Sequence, residues 1–154
     1  MKKAWHVDSP IGKLGIAEDG IGICNLTFDC KELSELTIEQ TPLLVQAEAE
    51  LAEYFAGKRK FFELPLSLVG TPFQQAVWKA LQTIPYGTVC SYQDIAKQVG
   101  SPKGCRAVGM ANNRNPVAII VPCHRVIGKD GSLVGYGGGM GIKTFLLKLE
   151  QEKR

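Results

Sequence analysis

The chain has 154 residues, 45% of them hydrophobic and 21% charged, with a net charge of +3. That composition excludes a disordered polymer, and a charge this mild neither requires nor rules out a nucleic-acid partner. Five cysteines without regular spacing exclude a disulfide framework, and no apolar run reaches transmembrane length. Met1-Lys2-Lys3 leads into Trp5-His6-Val7-Asp8 rather than the apolar core of a signal peptide, so the expected setting is the cytoplasm.

In chain order, residues 13–28 alternate apolar with small or polar side chains on both sides of Asp19-Gly20, which predicts a two-residue β-hairpin turn. Thr41-Pro42 predicts a helix start, with Thr41 as N-cap and Pro42 at the first helical position. Leu44, Ala47, Leu51 and Tyr54-Phe55 recur at helical spacing until Gly57 stops them. A basic turn and a short extended segment then run to Gly70. The boundary placed there divides the chain into an N-terminal domain, 1–69, and a C-terminal domain, 70–154. Thr71-Pro72-Phe73-Gln74 reads as a capping box in front of an apolar stripe of Phe73, Val77, Trp78 and Leu81. Ser91 is expected to cap a helix ending at Gly100, and Ser101-Pro102 to cap a second one over 103–112, a helix-turn-helix pattern. After the loop 112–116, the apolar run Val117–Val121 reads as a buried strand that delivers Pro122-Cys123-His124-Arg125. A glycine-rich loop, 135–141, leads into a final amphipathic helix with Phe145, Leu146, Leu149 and Glu150.

Cys123 is the first chemical candidate, although a lone cysteine is more often a small buried hydrophobe. An ordinary thiol is only a few per cent thiolate at neutral pH, so a nucleophile here needs a base or cation nearby. His124 and a carboxylate such as Glu150 would serve, yet sequence neighbours at a strand end point to opposite faces. A zinc site built on His6, Cys24 and Cys30 has no C-x-x-C pair and no evident fourth ligand, so no metal is expected. The loop before Lys143-Thr144 fails as a phosphate loop because Ile142 stands where glycine is required. In the second helix of the pair, Gly104, Ala107, Gly109 and Ala111 make the helix unusually small-sided, with Arg106 as the one long cation in its middle. Close helix packing and close approach to a DNA surface explain those small residues equally well.

Together, residues 91–96 (SYQDIA), 102–116 (PKGCRAVGMANNRNP), 115–128 (NPVAIIVPCHRVIG) and 135–150 (GYGGG…FLLKLE) closely resemble the O6-alkylguanine-DNA alkyltransferases, also called methylated-DNA–protein-cysteine methyltransferases. The resemblance runs in order from Gly70 to Glu150 and is looser before it. It implies an α+β fold, with an N-terminal ribonuclease H-like domain of antiparallel sheet plus helix. The C-terminal domain would be mostly helical, with a winged-helix-like helix-turn-helix. It also implies direct-reversal repair. Cys123 would take the alkyl group from O6-alkylguanine, and from O4-alkylthymine where accepted, irreversibly and once per molecule. His124 would act through a water, Glu150 would orient it, and Asn115 would brace the turn. Tyr92 would protonate the leaving guanine, assisted by Lys143. Val126 and Tyr136-Gly137-Gly138 would hold the base and alkyl group. Arg106 would fill the stack left by a flipped nucleotide, with Gly109 and Ala111 giving clearance in the minor groove, and Tyr92, Gln93, Ser101 and Lys129 touching DNA. The implied partner is double-stranded DNA carrying the lesion, bound by a monomer, singly or cooperatively, with no cofactor and no membrane. The alternative is a non-catalytic lesion-binding relative, in which another residue, commonly Trp, stands where this chain has Cys123.

Overall fold

A computed structural model describes residues 2–28, 33–131 and 139–154. Its contacts divide the chain into two compact units, Met1–Val69 and Gly70–Arg154. Among the described residues, no helix is long and apolar enough to cross a membrane.

The first unit is a four-stranded sheet with one helix. Strands β1 (Lys3–Ser9), β2 (Gly12–Glu18), β3 (Ile23–Thr27) and β4 (Thr37–Ile38) lie in the order β3-β2-β1-β4. The β1–β2–β3 pairs are antiparallel, whereas β4 joins β1 in parallel, so the sheet is mixed rather than purely antiparallel. The predicted two-residue turn at Asp19-Gly20 is a longer loop, Asp19 to Gly22. The Asp19 carboxylate accepts from the amides of Ile21 and Gly22 at 2.9 and 3.1 Å, an Asx turn that closes the loop without a tight primed turn. Helix α1 (Pro42–Phe55) packs on β1 and β2 and starts where its sequence signals put it. The Thr41 hydroxyl accepts from the Leu44 amide at 3.2 Å, and Leu44, Ala47, Leu51 and Tyr54 are buried.

The second unit gathers helices around a short parallel bridge. Helix α2 (Pro72–Leu81) has the expected capping box, with the Thr71 and Gln74 side chains each accepting the other's backbone N–H. The close approach of Gly70 to the Trp78 ring excludes a larger residue, since a Cβ there would come within 2.5 Å of Cη2. Strand β5 (Cys90–Ser91) runs straight into α3 (Tyr92–Gln98) and pairs in parallel with β6 (Val126–Ile127). Helix α3 ends in a Schellman motif at Gly100, whose φ of 79° is the left-handed conformation that glycine adopts without penalty. Helix α4 (Cys105–Asn113) packs on α2 and α3, and α5 (Met140–Glu152) closes the unit. The sequence placed the start of α4 at Ser101-Pro102. It begins instead at Cys105 with Gly104 as its N-cap, because the Ser101 carbonyl is taken by the Gly104 amide in a separate turn.

Candidate active site around Cys123

The apolar run before Cys123 is not a strand. Residues 117–121 coil into successive turns, with the Val121 amide on the Val117 carbonyl at 3.0 Å and the Ile120 amide on the Ala118 carbonyl at 2.8 Å. Ile119 sits at φ 71°, a conformation that a β-branched residue adopts only when its surroundings impose it. A short apolar run carries no periodicity that separates a strand from a buried coil. What decides the matter is where the buried backbone groups find partners. Asn115 supplies two of them. Its amide donates to the Val121 carbonyl at 2.8 Å, and its side-chain oxygen accepts from the Val117 amide at 3.0 Å. Pro122, at φ −80° and ψ 65°, then makes an inverse γ-turn, and the Cys123 amide donates to the Val121 carbonyl at 2.8 Å. Cys123 opens a single 3-10 turn, Cys123–Arg125, and is buried.

Behind the sulfur lies a buried ionic cluster. His124 is fully buried, and its Nε2 is 2.7 Å from Oε2 of Glu150 on α5. Arg125 grips the same carboxylate through Nε, 2.8 Å from Oε1, and through Nη2, 3.1 Å from Oε2. Its Nη1 donates to the Ile84 carbonyl at 2.7 Å, and its guanidinium lies 5.6 Å from the centre of the Tyr86 ring. Burial alone would raise the Glu150 carboxyl, but the hydrogen bonds from His124 and Arg125 and the charge of Arg125 outweigh it and hold it down at about 2. For His124 burial wins. It pushes the imidazole below its ordinary value against the opposing pull of Glu150, while Arg125 and Lys143 add to the lowering. The result is a neutral imidazole whose Nε2–H faces a carboxylate, leaving Nδ1 as the lone-pair nitrogen.

Lys143 of α5 is completely buried, and its ammonium donates to the Val126 carbonyl at 2.6 Å. Burial lowers its pKa, and the nearby Cys123 opposes that shift. The Tyr92 hydroxyl is pushed up by burial and further by Cys123. Cys123, His124, Glu150, Lys143 and Tyr92 therefore come from three separate elements to one place, with Asn115 shaping the turn and Val126 buried beside them. Tyr136, Gly137 and Gly138 lie outside the described residues.

Of the expected DNA contacts, Arg106 and Lys129 are exposed, and Gln93 and Ser101 are half-buried. The Gln93 amide donates to the Pro102 carbonyl at 3.1 Å, which ties the two helices of the motif. Gly109 lies under the Tyr92 ring; a Cβ there would come 3.9 Å from Cε1. Ala111 does not share that face. It is 2% exposed and its carbonyl accepts the Trp78 indole N–H at 2.9 Å, so it belongs to the contact between α4 and α2. Its small side chain thus serves close packing, and the exposed face of α4 is formed by Arg106, Ala107 and Met110.

Two site residues carry little signal in the sequence. Arg125 was visible only as the last letter of a motif. Asn112 is 1% exposed on α4, and its amide donates to the Cys123 carbonyl at 3.3 Å. A signal for it existed, since Asn112 continues the buried face of α4 one turn beyond Val108, where an apolar residue would be expected. Among the described residues, no group of three or more His, Cys, Asp and Glu side chains could hold a metal ion.

Comparison with known proteins gives a consistent result. Residues 72–152 match the family model described as the DNA-binding domain of 6-O-methylguanine DNA methyltransferase, and residues 5–68 match that of its ribonuclease-like domain. A constitutive methylated-DNA–protein-cysteine methyltransferase of Bacillus subtilis is 53% identical over 152 residues, covering 94% of this chain and 92% of its own. A methylated-DNA–protein-cysteine methyltransferase of Methanosarcina acetivorans is 50% identical over 147 residues, covering 93% of this chain and 94% of its own. Among solved structures, Mycobacterium tuberculosis OGT in complex with DNA has a TM-score of 0.91 and 48% identity, covering 98% of this chain and 94% of that one.

Proposed function

The chain belongs to the 6-O-methylguanine DNA methyltransferase family, and we propose that it repairs O6-alkylguanine in DNA by moving the alkyl group onto Cys123. The observation that carries this reading is the buried sulfur of Cys123 beside a neutral His124, which is itself anchored to an ionised Glu150. In the step, the thiol proton passes through a water to Nδ1 of His124. The sulfur attacks the alkyl carbon in line, an S–C bond forms and the C–O6 bond breaks. The electron pair of that bond leaves with the guanine, which takes a proton from the Tyr92 hydroxyl and departs as a neutral base. Glu150, kept anionic by Arg125, stabilises the imidazolium as it forms. The Lys143 ammonium, electrostatically coupled to Cys123, is a cation of the kind that assists a thiolate as it forms.

A lesion oxygen within a stacked duplex is out of reach, so the nucleotide has to turn out of the helix at a cost of a few kcal/mol. The exposed cation Arg106 on a face with Ala107 and Met110 suits entry into the minor groove and occupation of the vacated stack. Gln93, Ser101 and Lys129 suit contacts to the sugar-phosphate backbone, which carry no sequence information. The product at Cys123 is a thioether, a bond chemically stable in water, so each molecule acts once.

The test uses a duplex oligonucleotide with one labelled O6-methylguanine. The expected result is label on the protein, rising to a plateau of one methyl group per molecule and located on the peptide containing Cys123. Turnover beyond that plateau, or label transfer by Cys123→Ala, would overturn the reading.

A further inference from the structure

Asn112 is a polar side chain set where the packing of α4 calls for an apolar one. Its amide is used, on the Cys123 carbonyl, but its Oδ1 is buried and makes no hydrogen bond to the described residues. The same holds for Nδ1 of His124. Both atoms are acceptors, since Nε2–H of His124 faces Glu150 and the Asn112 amide nitrogen is engaged. Both also belong to one small neighbourhood, because the carbonyl that Asn112 holds is part of the peptide bond joining Cys123 to His124. A buried polar group persists without a partner only where something other than stability retains it. One water molecule has two donors for two such acceptors, and its own oxygen can accept from a third group, here the Cys123 thiol.

We propose that Asn112 is a positioning residue for alkyl transfer, clamping the Cys123 carbonyl with its amide and completing, with Nδ1 of His124, the polar seat of the water that relays the thiol proton. The inference rests on the alkyl-transfer reading above and adds a residue to it. The water accepts the S–H proton and passes one of its own to Nδ1, while its second O–H stays on Asn112 Oδ1. Without that second anchor the water can turn its donor away from the histidine. Because Asn112 stands on α4, opposite the face that bears Arg106, it also links the helix assigned to DNA directly to the nucleophile. The ionisable groups around this seat are Glu150 and Lys143 on α5, Arg125 in the 3-10 turn, Tyr92 on α3 and Cys123 itself.

Single-turnover methyl transfer from the labelled duplex, measured between pH 6 and pH 10, tests this for the full chain and for Asn112→Leu and Asn112→Ser. Leucine keeps the branched shape and removes both polar atoms; serine restores a hydroxyl acceptor. For Asn112→Leu the expected rate is about tenfold or more below the parent at pH 7. The gap should close as the pH passes the ordinary thiol range, near 8.5, where ionisation needs no relay. Asn112→Ser should fall between the two, and it carries the test alone if the leucine variant does not fold. Affinity for an undamaged duplex should be unchanged. Rates within twofold of the parent at every pH, or an equal loss at every pH, would overturn the inference while leaving the alkyl-transfer reading intact. No transfer by the parent chain would overturn that reading instead.

Discussion

Replacing Arg125 by methionine keeps most of the side chain's length and removes its charge. The buried Glu150 carboxylate loses the Nε and Nη2 contacts while its bond to His124 stays, and the Ile84 carbonyl loses the Nη1 donor. Removing one partner of a buried ion pair costs about 3–5 kcal/mol, because the other charge stays buried without compensation. A second route leads to the same range. Glu150 is held at about 2 against an ordinary 4.5, and that difference, at roughly 1.36 kcal/mol per unit, corresponds to a net of about 3 kcal/mol that His124 and Arg125 supply beyond the opposing cost of burial. The sign follows from the direction of the shift. A depressed carboxylate contributes its full stability above the unfolded pKa and loses it as pH falls from about 4.5 towards about 2. Arg125→Met should therefore be less stable by about 3 kcal/mol at pH 7, and the deficit should shrink at pH 3, where the parent chain has lost much of the same interaction. Urea unfolding at both pH values measures this. In a double-mutant cycle, Glu150→Gln should recover part of the loss, with a coupling of about 1–3 kcal/mol. A deficit below about 1 kcal/mol at pH 7, or one that is the same at pH 3, would refute the assignment of Arg125 as the clamp on Glu150.

Two more substitutions probe other parts of the site. Arg106→Ala should lower transfer from duplex DNA by about tenfold or more while leaving transfer from the free base O6-methylguanine unchanged, since the exposed cation acts only on the stack; equal losses on both substrates would exclude that role. At position 119, glycine should be more stable than alanine by about 1 kcal/mol in thermal unfolding. The φ of 71° reverses the usual order of the two residues, although both variants lose the buried isoleucine side chain.

The elements that the sequence announced clearly are those whose cues lie within a few residues. Thr41-Pro42 and the Thr71–Gln74 capping box mark helix starts because the cap and its partners are three residues apart. Nothing in the local pattern marks strand β1, since only Ala4 and Val7 of its seven residues are buried and the spacing between them does not alternate. The run Val117–Val121 misled for the opposite reason. All five side chains are buried, so the segment has no polar face to report its geometry, and the decisive hydrogen bonds come from Asn115 outside it. On α4, small residues looked alike in the sequence, yet Gly109 meets Tyr92 and Ala111 meets Trp78, and only the three-dimensional packing separates the two faces.

The site divides along the same line. The position of the sulfur is written locally, in the fourteen or so residues from Asn112 to Arg125 that fold back on themselves through the Asn112, Asn115 and Val117 hydrogen bonds. Its protonation is not. The carboxylate that holds His124 is 26 residues away, and the Ile84 carbonyl that fixes Arg125 is 41 residues away on the other side. A motif scan finds Pro-Cys-His-Arg because the turn is contiguous, and it gives Arg125 no role because that role exists only when Ile84, Tyr86 and Glu150 converge. Chemistry at such a site therefore responds to substitutions far from the cysteine. A change in α5 that moves Glu150 alters the base without moving the nucleophile, whereas a change at Asn115 moves the nucleophile and leaves the His124–Glu150–Arg125 cluster in place. The two classes separate by experiment: the first should displace the pH dependence of transfer, and the second should lower its rate at every pH.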